Sequence, residues 1–174
     1  MRIISGSHKG IKLRFNNNLN VRPTTDKAKE ALFNILNHRY QLQTKNCLDL
    51  FSGTGNISFE FCSRGCHQII CVDNNIKCIK HIKEEALRLK FNVEAIHNDS
   101  MKFLSKNSKM FDVIFADPPY SYKLHHDLKD IIFSKKLIKK NGCLIIEHDK
   151  QTVFYEENLE VKKYGNVIFS IFTF

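Results

Sequence analysis

The chain has 174 residues, 43% hydrophobic and 26% charged, with seven Gly and three Pro, which excludes a collagen-like, linker-like or low-complexity polymer and leaves room for one domain with a substantial core. Its formal net charge is +9, and the excess is uneven: residues 1–45 carry nine Lys and Arg against Asp26 and Glu30, whereas the remaining 129 carry eighteen against sixteen acids. That asymmetry predicts a polyanion-facing surface at the N-terminal end, the alternative being a lysine-rich solvated surface.

In chain order, runs 2–6 and 11–15 flank the turn-like 7–10, and the second alternates apolar and basic residues. This predicts a basic hairpin with Lys12 and Arg14 on one face. The segment Arg22-Pro23-Thr24-Thr25-Asp26 offers N-cap side chains, and Ala28, Ala31, Leu32, Ile35 and Leu36 recur at helical spacing, so a helix is expected over about 26–38. Residues 1–40 thus read as an extension in front of a domain spanning 41–174.

From residue 46 onward, apolar runs at 47–51, 69–73, 93–97, 112–116 and 143–148 alternate with helical patterns near 55–64, 75–90, 100–106 and 122–139. Short runs that are apolar on both faces, separated by helices, predict a parallel sheet covered on both sides. The runs 159–163 and 166–174, joined by Tyr164-Gly165, predict a closing antiparallel hairpin. Six cysteines without a CxxC pair, several inside apolar runs, read as buried free thiols rather than zinc ligands or disulfides. The first residues hold no apolar leader, and no run approaches the roughly 18 residues of a membrane span, so a cytoplasmic, reducing location is expected.

In a parallel sheet of this kind, ligands gather beyond the carboxyl ends of the strands. The first end reads Asp49-Leu50-Phe51-Ser52-Gly53-Thr54-Gly55, in which a Gly-x-Gly turn lets the backbone approach a ligand. A dinucleotide fingerprint would want a further Gly where Ser58 stands, which argues against a pyrophosphate. The second end carries Asp73, placed to accept ribose hydroxyls, and the third carries Asp99-Ser100, where a carboxylate can receive an adenine amino group. Taken singly, each Asp reads more readily as a cap of the helix that follows; three consecutive strand ends giving a Gly turn or an acid in order is what favours a ligand site.

The fourth end is Asp117-Pro118-Pro119-Tyr120. A Pro-Pro pair donates no backbone hydrogen bond and leaves its carbonyls as acceptors. Asp117 and the Pro118 carbonyl can hold an amino group's hydrogens while Tyr120 stacks on a flat heterocycle, an arrangement suited to methylating an exocyclic amine.

These residues resemble the S-adenosylmethionine-dependent methyltransferases of the seven-stranded type, and specifically the RsmD family of bacterial 16S ribosomal RNA guanine-N2 methyltransferases. The likeness covers essentially the whole chain: Arg2-Ile3-Ile4-Ser5-Gly6, Lys9-Gly10, Arg22-Pro23-Thr24, Lys29 to Leu36, Leu48 to Gly55, Glu60, Ser63-Arg64-Gly65, Asp117 to Tyr120, Glu147 and Tyr164-Gly165. It implies an α/β, Rossmann-like class I methyltransferase sheet, mostly parallel with its last strand antiparallel, and an N-terminal β-hairpin plus helix extension.

By the same resemblance, Asp49, Gly53 and Gly55 line the methionine side of S-adenosylmethionine, Asp73 its ribose and Asp99 its adenine, with Phe51 and Ser100 as further cofactor contacts. Asp117, Pro118, Pro119 and Tyr120 hold the guanine amine, and Arg2, Lys9, Lys12, Arg14 and Arg22 grip 16S ribosomal RNA within the small subunit or its assembly intermediate. A monomer is expected, with no metal and no membrane partner. A DNA amino-methyltransferase is the rival within the class, but it usually needs a recognition insert for which this length leaves no room. A protein glutamine methyltransferase would want Asn at Asp117. From another class, a catalytically silent RNA-binding module is opposed by the intact Asp117, Gly53 and Gly55.

Overall fold

The computed structural model describes residues 1–14, 24–119 and 121–174, so Arg22, Pro23 and Tyr120 lie outside the described residues. The strands are β1 (Asn46–Leu50), β2 (Gln68–Asp73), β3 (Glu94–His97), β4 (Phe111–Ala116), β5 (Ile138–His148), β6 (Leu159–Tyr164) and β7 (Val167–Thr173). They form one seven-stranded sheet in the order β3-β2-β1-β4-β5-β7-β6. Neighbours from β3 to β5 pair in parallel, and β7 lies antiparallel between β5 and β6. The expected fold class is therefore the observed one.

Alternation along each strand divides the core between two faces. Cys47, Cys71, Val113, Phe115 and Ile145 pack with helices α1 (Asp26–Arg39), α2 (Asn56–Ser63) and α3 (Ile76–Leu89). Leu48, Leu50, Ile70, Ile114 and Leu144 pack with α4 (Ser100–Lys106) and α5 (His125–Ser134). Strand order reverses between β1 and β4, which opens a crevice beyond their carboxyl ends.

Two expectations change in detail. The helix expected over 122–139 occupies only His125–Ser134, because Lys136 turns left-handed (φ 52°) and the Phe111 amide donates to the Leu137 carbonyl at 2.9 Å, drawing Leu137 and Ile138 into the sheet. β5 consequently starts at Ile138 and passes an irregularity, with Asn141 at φ 62°, before regular pairing resumes at Cys143. Among the described residues, the N-terminal hairpin is reduced to a single antiparallel bridge, Arg2 with Lys12. Its apolar residues Ile3 and Leu13 are buried in the α1–α3 core, so the described parts of residues 1–40 share one core with the residues that follow.

What holds the N-terminal segment is polar. Buried Glu60 accepts the Ile4 amide at 2.7 Å, the Ser5 amide at 3.0 Å and the Arg64 Nε at 2.8 Å. Lys29, fully buried on α1, donates to the Arg2 carbonyl and to Asn56 Oδ1, each at 2.7 Å, and lies 3.7 Å from Glu60. Burial pushes the Lys29 pKa down, against the pull of Glu60. Gly6, at φ +85°, lies so close to α2 that a Cβ would stand 1.9 Å from the Ser63 carbonyl oxygen. The Ser7 amide donates to that same oxygen at 2.8 Å, and Ser63 Oγ donates to the Ser5 carbonyl at 2.6 Å. Ser5-Gly6 and Ser63-Arg64, far apart in sequence, are thus two sides of one contact.

The six cysteines are free thiols; Cys47, Cys71, Cys78 and Cys143 are buried, while Cys62 and Cys66 are half-buried. No helix among the described residues is long and apolar enough to cross a membrane.

Candidate active site

The carboxyl ends of β1 to β5 surround a cavity of about 520 Å³. The turn after β1 shapes its floor. Phe51, Gly53 and Gly55 all have left-handed backbones (φ 59°, 52° and 78°), and the Gly53 amide donates to Asp73 Oδ2 at 2.8 Å, which fastens the turn to the end of β2. Gly55 does not line the cavity: a Cβ there would meet the Phe59 ring at 2.9 Å, so this glycine serves the packing of α2.

Each acid at a strand end keeps a structural duty while lining the cavity. Asp73 Oδ1 accepts the Asn75 amide at 2.8 Å, and Asp99 caps α4 by accepting the Lys102 amide at 2.9 Å. A carboxylate has about four acceptor positions, so both retain capacity for a ligand. Ser100 is buried and does not reach the cavity wall. Asp49 accepts the Ser58 hydroxyl, which in turn accepts the Cys71 thiol at 2.9 Å. Burial, with the Asp73 charge adding to it, pushes the Asp49 carboxyl up to about 7.

At the end of β4, the Asp117 amide reaches the Leu50 carbonyl at 3.4 Å, and Pro118 and Pro119 continue along the cavity wall. Burial, then the nearby Glu147 and Asp49 charges, hold the Asp117 carboxyl far above the usual carboxylate range, against a hydrogen bond from Thr24. The single Thr24 hydroxyl hydrogen, given to Glu147 Oε2 at 2.9 Å, can serve only one acid at a time, so Asp117 and Glu147 compete for it.

Asp49, Asp73, Asp99, Asp117 and Glu147 all line this one cavity, and none of its described lining residues is Lys, Arg or His. An acidic cavity in a chain of net charge +9 disfavours a pyrophosphate seated within it and favours a group bearing positive charge and hydroxyls. The donor set therefore fits the sulfonium, ammonium and ribose of S-adenosylmethionine and does not fit a dinucleotide pyrophosphate.

Several lining residues carry no site role in the sequence pattern. Tyr122 follows the Pro-Pro turn, its amide donating to the Pro119 carbonyl at 2.7 Å, and its ring stands edge-on to Phe51 at 5.1 Å. Its buried hydroxyl has no partner among the described residues. Thr24 and Thr25 both read as helix caps in sequence; Thr25 caps α1 through the Ala28 amide, which leaves Thr24 for the site. Outside the cavity, Lys9 and Lys12 are exposed, Arg2 lies 3.4 Å from Asp26, and Arg14 lies 3.7 Å from buried Glu85, which it shares with Arg88. Arg88 also donates to the Lys12 carbonyl at 3.3 Å, which adds a basic residue to the N-terminal surface.

Asp49 provides a pH test. Its folded pKa, raised to about 7, lies above the unfolded carboxylate value, so its contribution to stability is complete below about pH 4 and declines as pH rises towards 7. A cationic ligand requires the ionised form. The ratio of wild-type to Asp49→Asn affinity for S-adenosylmethionine, measured by calorimetry, is expected to rise about tenfold between pH 6 and 8; a flat ratio would remove Asp49 from the ligand contacts.

Residues 1–173 match the family model described as Conserved hypothetical protein 95. The chain is 36% identical over 171 residues to the ribosomal RNA small subunit methyltransferase D of Buchnera aphidicola from Acyrthosiphon pisum, covering 95% of this chain and 88% of that protein. Among solved structures, the hypothetical protein TTHA0928 of Thermus thermophilus superposes with a TM-score of 0.87 at 24% identity, over 99% of this chain and 98% of the other. The T. thermophilus 16S rRNA N2 G1207 methyltransferase RsmC, in complex with AdoMet and guanosine, shares the fold with a TM-score of 0.64 at 15% identity, over 86% of this chain and 43% of the other. With the Gly-x-Gly turn, the acidic strand ends and the Asp-Pro-Pro turn in one cavity, and with matches along nearly its whole length, the chain belongs to the Conserved hypothetical protein 95 family, that of the ribosomal RNA small subunit methyltransferase D proteins.

Proposed function

We propose that the protein transfers a methyl group from S-adenosylmethionine to the exocyclic N2 amine of a guanine in 16S ribosomal RNA, in the cytoplasm, during small-subunit maturation. The observation that carries this reading is the convergence of Asp49, Asp73, Asp99 and Asp117 with the Pro118-Pro119 turn in one cavity with no Lys, Arg or His among its described lining residues. The family relationship supports the RNA substrate, and the guanosine and AdoMet bound by the RsmC relative support the pairing of ligands.

Bound S-adenosylmethionine would supply an electrophilic methyl group. Asp73 would hold its ribose and Asp99 its adenine, with Phe51 and Tyr122 packed at the same wall. Asp49 would face the methionine ammonium. The ionised Asp117 and the Pro118 carbonyl would accept the two guanine N–H bonds, which turns the nitrogen lone pair towards the methyl carbon. The amine proton becomes acidic only as the N–C bond forms, and Asp117 lies ready to take it, with Thr24 and Glu147 next in line. Tyr120 would stack on the base, which must leave any paired context to reach it. Residues 1–40 would serve as the RNA-gripping extension of the catalytic domain, 41–174.

The test mixes purified protein and methyl-labelled S-adenosylmethionine with small subunits, naked ribosomal RNA and DNA from cells lacking the gene. Label is expected in 16S RNA at one guanine N2; label in DNA alone would overturn the reading. Removing charge at Lys12, Arg14 and Arg22 is expected to weaken RNA binding and to flatten its log–log salt dependence by roughly 0.7–0.9 for each phosphate no longer neutralised. An unchanged slope in a filter-binding series would move the RNA footprint elsewhere.

A further inference from the structure

A second cleft, of about 580 Å³, lies at the other rim of the sheet. It is bounded by the N-terminal segment at Ser5–Ser7, by the end of α1 and the following turn (Asn37, Gln41, Gln43), and by Ser63–Gly65 at the end of α2. Gln43 and Gly65 precede the first residues of β1 and β2, whereas the catalytic turns follow their last ones. The five residues of β1, at about 3.3 Å each, place the two sites roughly 17 Å apart.

Arg64 is the distinctive member. Its side chain is 6% exposed, its Nε donates to Glu60 at 2.8 Å, and the guanidinium lies 4.8 Å from the centre of the Phe33 ring. Its two terminal nitrogens have no hydrogen-bond partner among the described residues, yet Arg64 lines the cleft. Glu60 is the one carboxylate within ion-pair distance of Arg64 among the described residues, and it is also the partner of Lys29 and of two backbone amides. Two cations therefore share one anion in a buried cluster, and the terminal N–H groups of Arg64 open onto the cleft, where a second anion can meet them. No carboxylate lines the cleft among the described residues; its walls carry the side-chain amides of Asn37, Gln41 and Gln43, which make no hydrogen bond to any described residue. Amide and guanidinium donors without a competing acid match a phosphate group.

We propose that this cleft is a phosphate-binding subsite for the RNA backbone, anchored by Arg64, on the opposite rim from the catalytic cavity. Its occupant is assigned on the strength of the proposed ribosomal RNA substrate. The N-terminal segment forms one wall of this cleft, and its exposed Lys9 continues the basic surface, so RNA held at both rims would wrap that segment.

The test leaves Arg64 in place, since its loss would also unsettle Glu60 and Phe33. The double variant Asn37→Asp, Gln43→Glu adds two negative charges to the cleft wall without changing shape. Gln151→Glu, Asn166→Asp adds the same charge at exposed positions elsewhere. For the cleft variant alone, affinity for 16S ribosomal RNA is expected to fall about tenfold, with a salt slope shallower by roughly 0.7–0.9. Inorganic phosphate at tens of millimolar is expected to shift the Ser7 and Gly65 amide resonances of the wild type and not those of the cleft variant. Equal effects of the two double variants, or unchanged RNA affinity in both, would overturn the RNA assignment. Unshifted wild-type amides would overturn the anion site itself. Because the phosphate titration needs no RNA, it decides the cleft even if no methyl label reaches ribosomal RNA, the result that would count against the proposed activity.

Discussion

Asp117→Ala is expected to lower methyl transfer to ribosomal RNA by roughly 10²–10³-fold or more, while affinity for S-adenosylmethionine stays within about threefold of wild type. The asymmetry follows from position: Asp117 leaves β4 beside the Pro-Pro turn, whereas Asp73 and Asp99, the acids proposed to hold the cofactor, line the cavity at the ends of β2 and β3. A comparable loss of cofactor affinity, read by calorimetry, would show that Asp117 is not mainly a substrate residue. The same group gives a pH signature. Burial and Glu147 hold its carboxyl protonated well above the usual range, and a protonated carboxyl cannot accept both an amine hydrogen and its departing proton. Single-turnover rates should therefore climb as pH rises above the ordinary carboxylate range. For stability the sign is opposite: a raised folded pKa favours the fold at low pH, and that advantage is lost as pH rises through it. Asp117→Asn should abolish the rate dependence and relieve the stability loss together.

Gly6→Ala is expected to destabilise the protein by roughly 3 kcal/mol, a fall in Tm of about 6–12 °C, without touching the catalytic cavity. Two costs combine: a left-handed backbone at φ +85°, and a Cβ that would stand 1.9 Å from a carbonyl oxygen that cannot move without disturbing the end of α2. The N-terminal segment can relieve the clash only by lifting away from Ser63 and Glu60. Limited proteolysis should then cut near the first ten residues, and RNA affinity should drop more than cofactor affinity. A variant that melts like the wild type would contradict the close approach.

The sheet is readable in sequence because its central strands are apolar on both faces: in β4 every residue from Phe111 to Ala116 is buried, and such a run can hardly be anything else. The tail of α5 is not, since Leu137 and Ile138 continue a helical spacing and only their pairing with the start of β4 takes them out of it. Site residues at strand ends are legible for a topological reason: parallel strands bring their carboxyl ends together in space. Residues reaching the cavity from outside that pattern are harder to find. Thr24 arrives from the segment before α1; Glu147, by contrast, stands at the carboxyl end of β5 beside Asp117, within the strand-end pattern. Lys29 does leave a trace. It occupies a position between Ala28 and the apolar Leu32, Phe33 and Leu36, on the face that packs inward, where a lysine implies an internal partner. The partner itself, Glu60, stands 31 positions away and is visible only in three dimensions.

The placement of β7 has a bearing on how the molecule is built. β6 is made before β7 but has no strand beside it in the sheet until β7 exists, and β5 keeps an unpaired edge for the same interval. During synthesis, then, α/β pairing up to β5 can proceed unit by unit, while residues 149–166 wait for the segment that will seat them. An open edge next to the buried run Cys143–Ile146 is the stage at which the nascent chain is most exposed to wrong partners. Closure of the sheet is consequently a late, long-range event, and substitutions in β7 should act on the yield of folded protein at least as much as on the stability of the finished one.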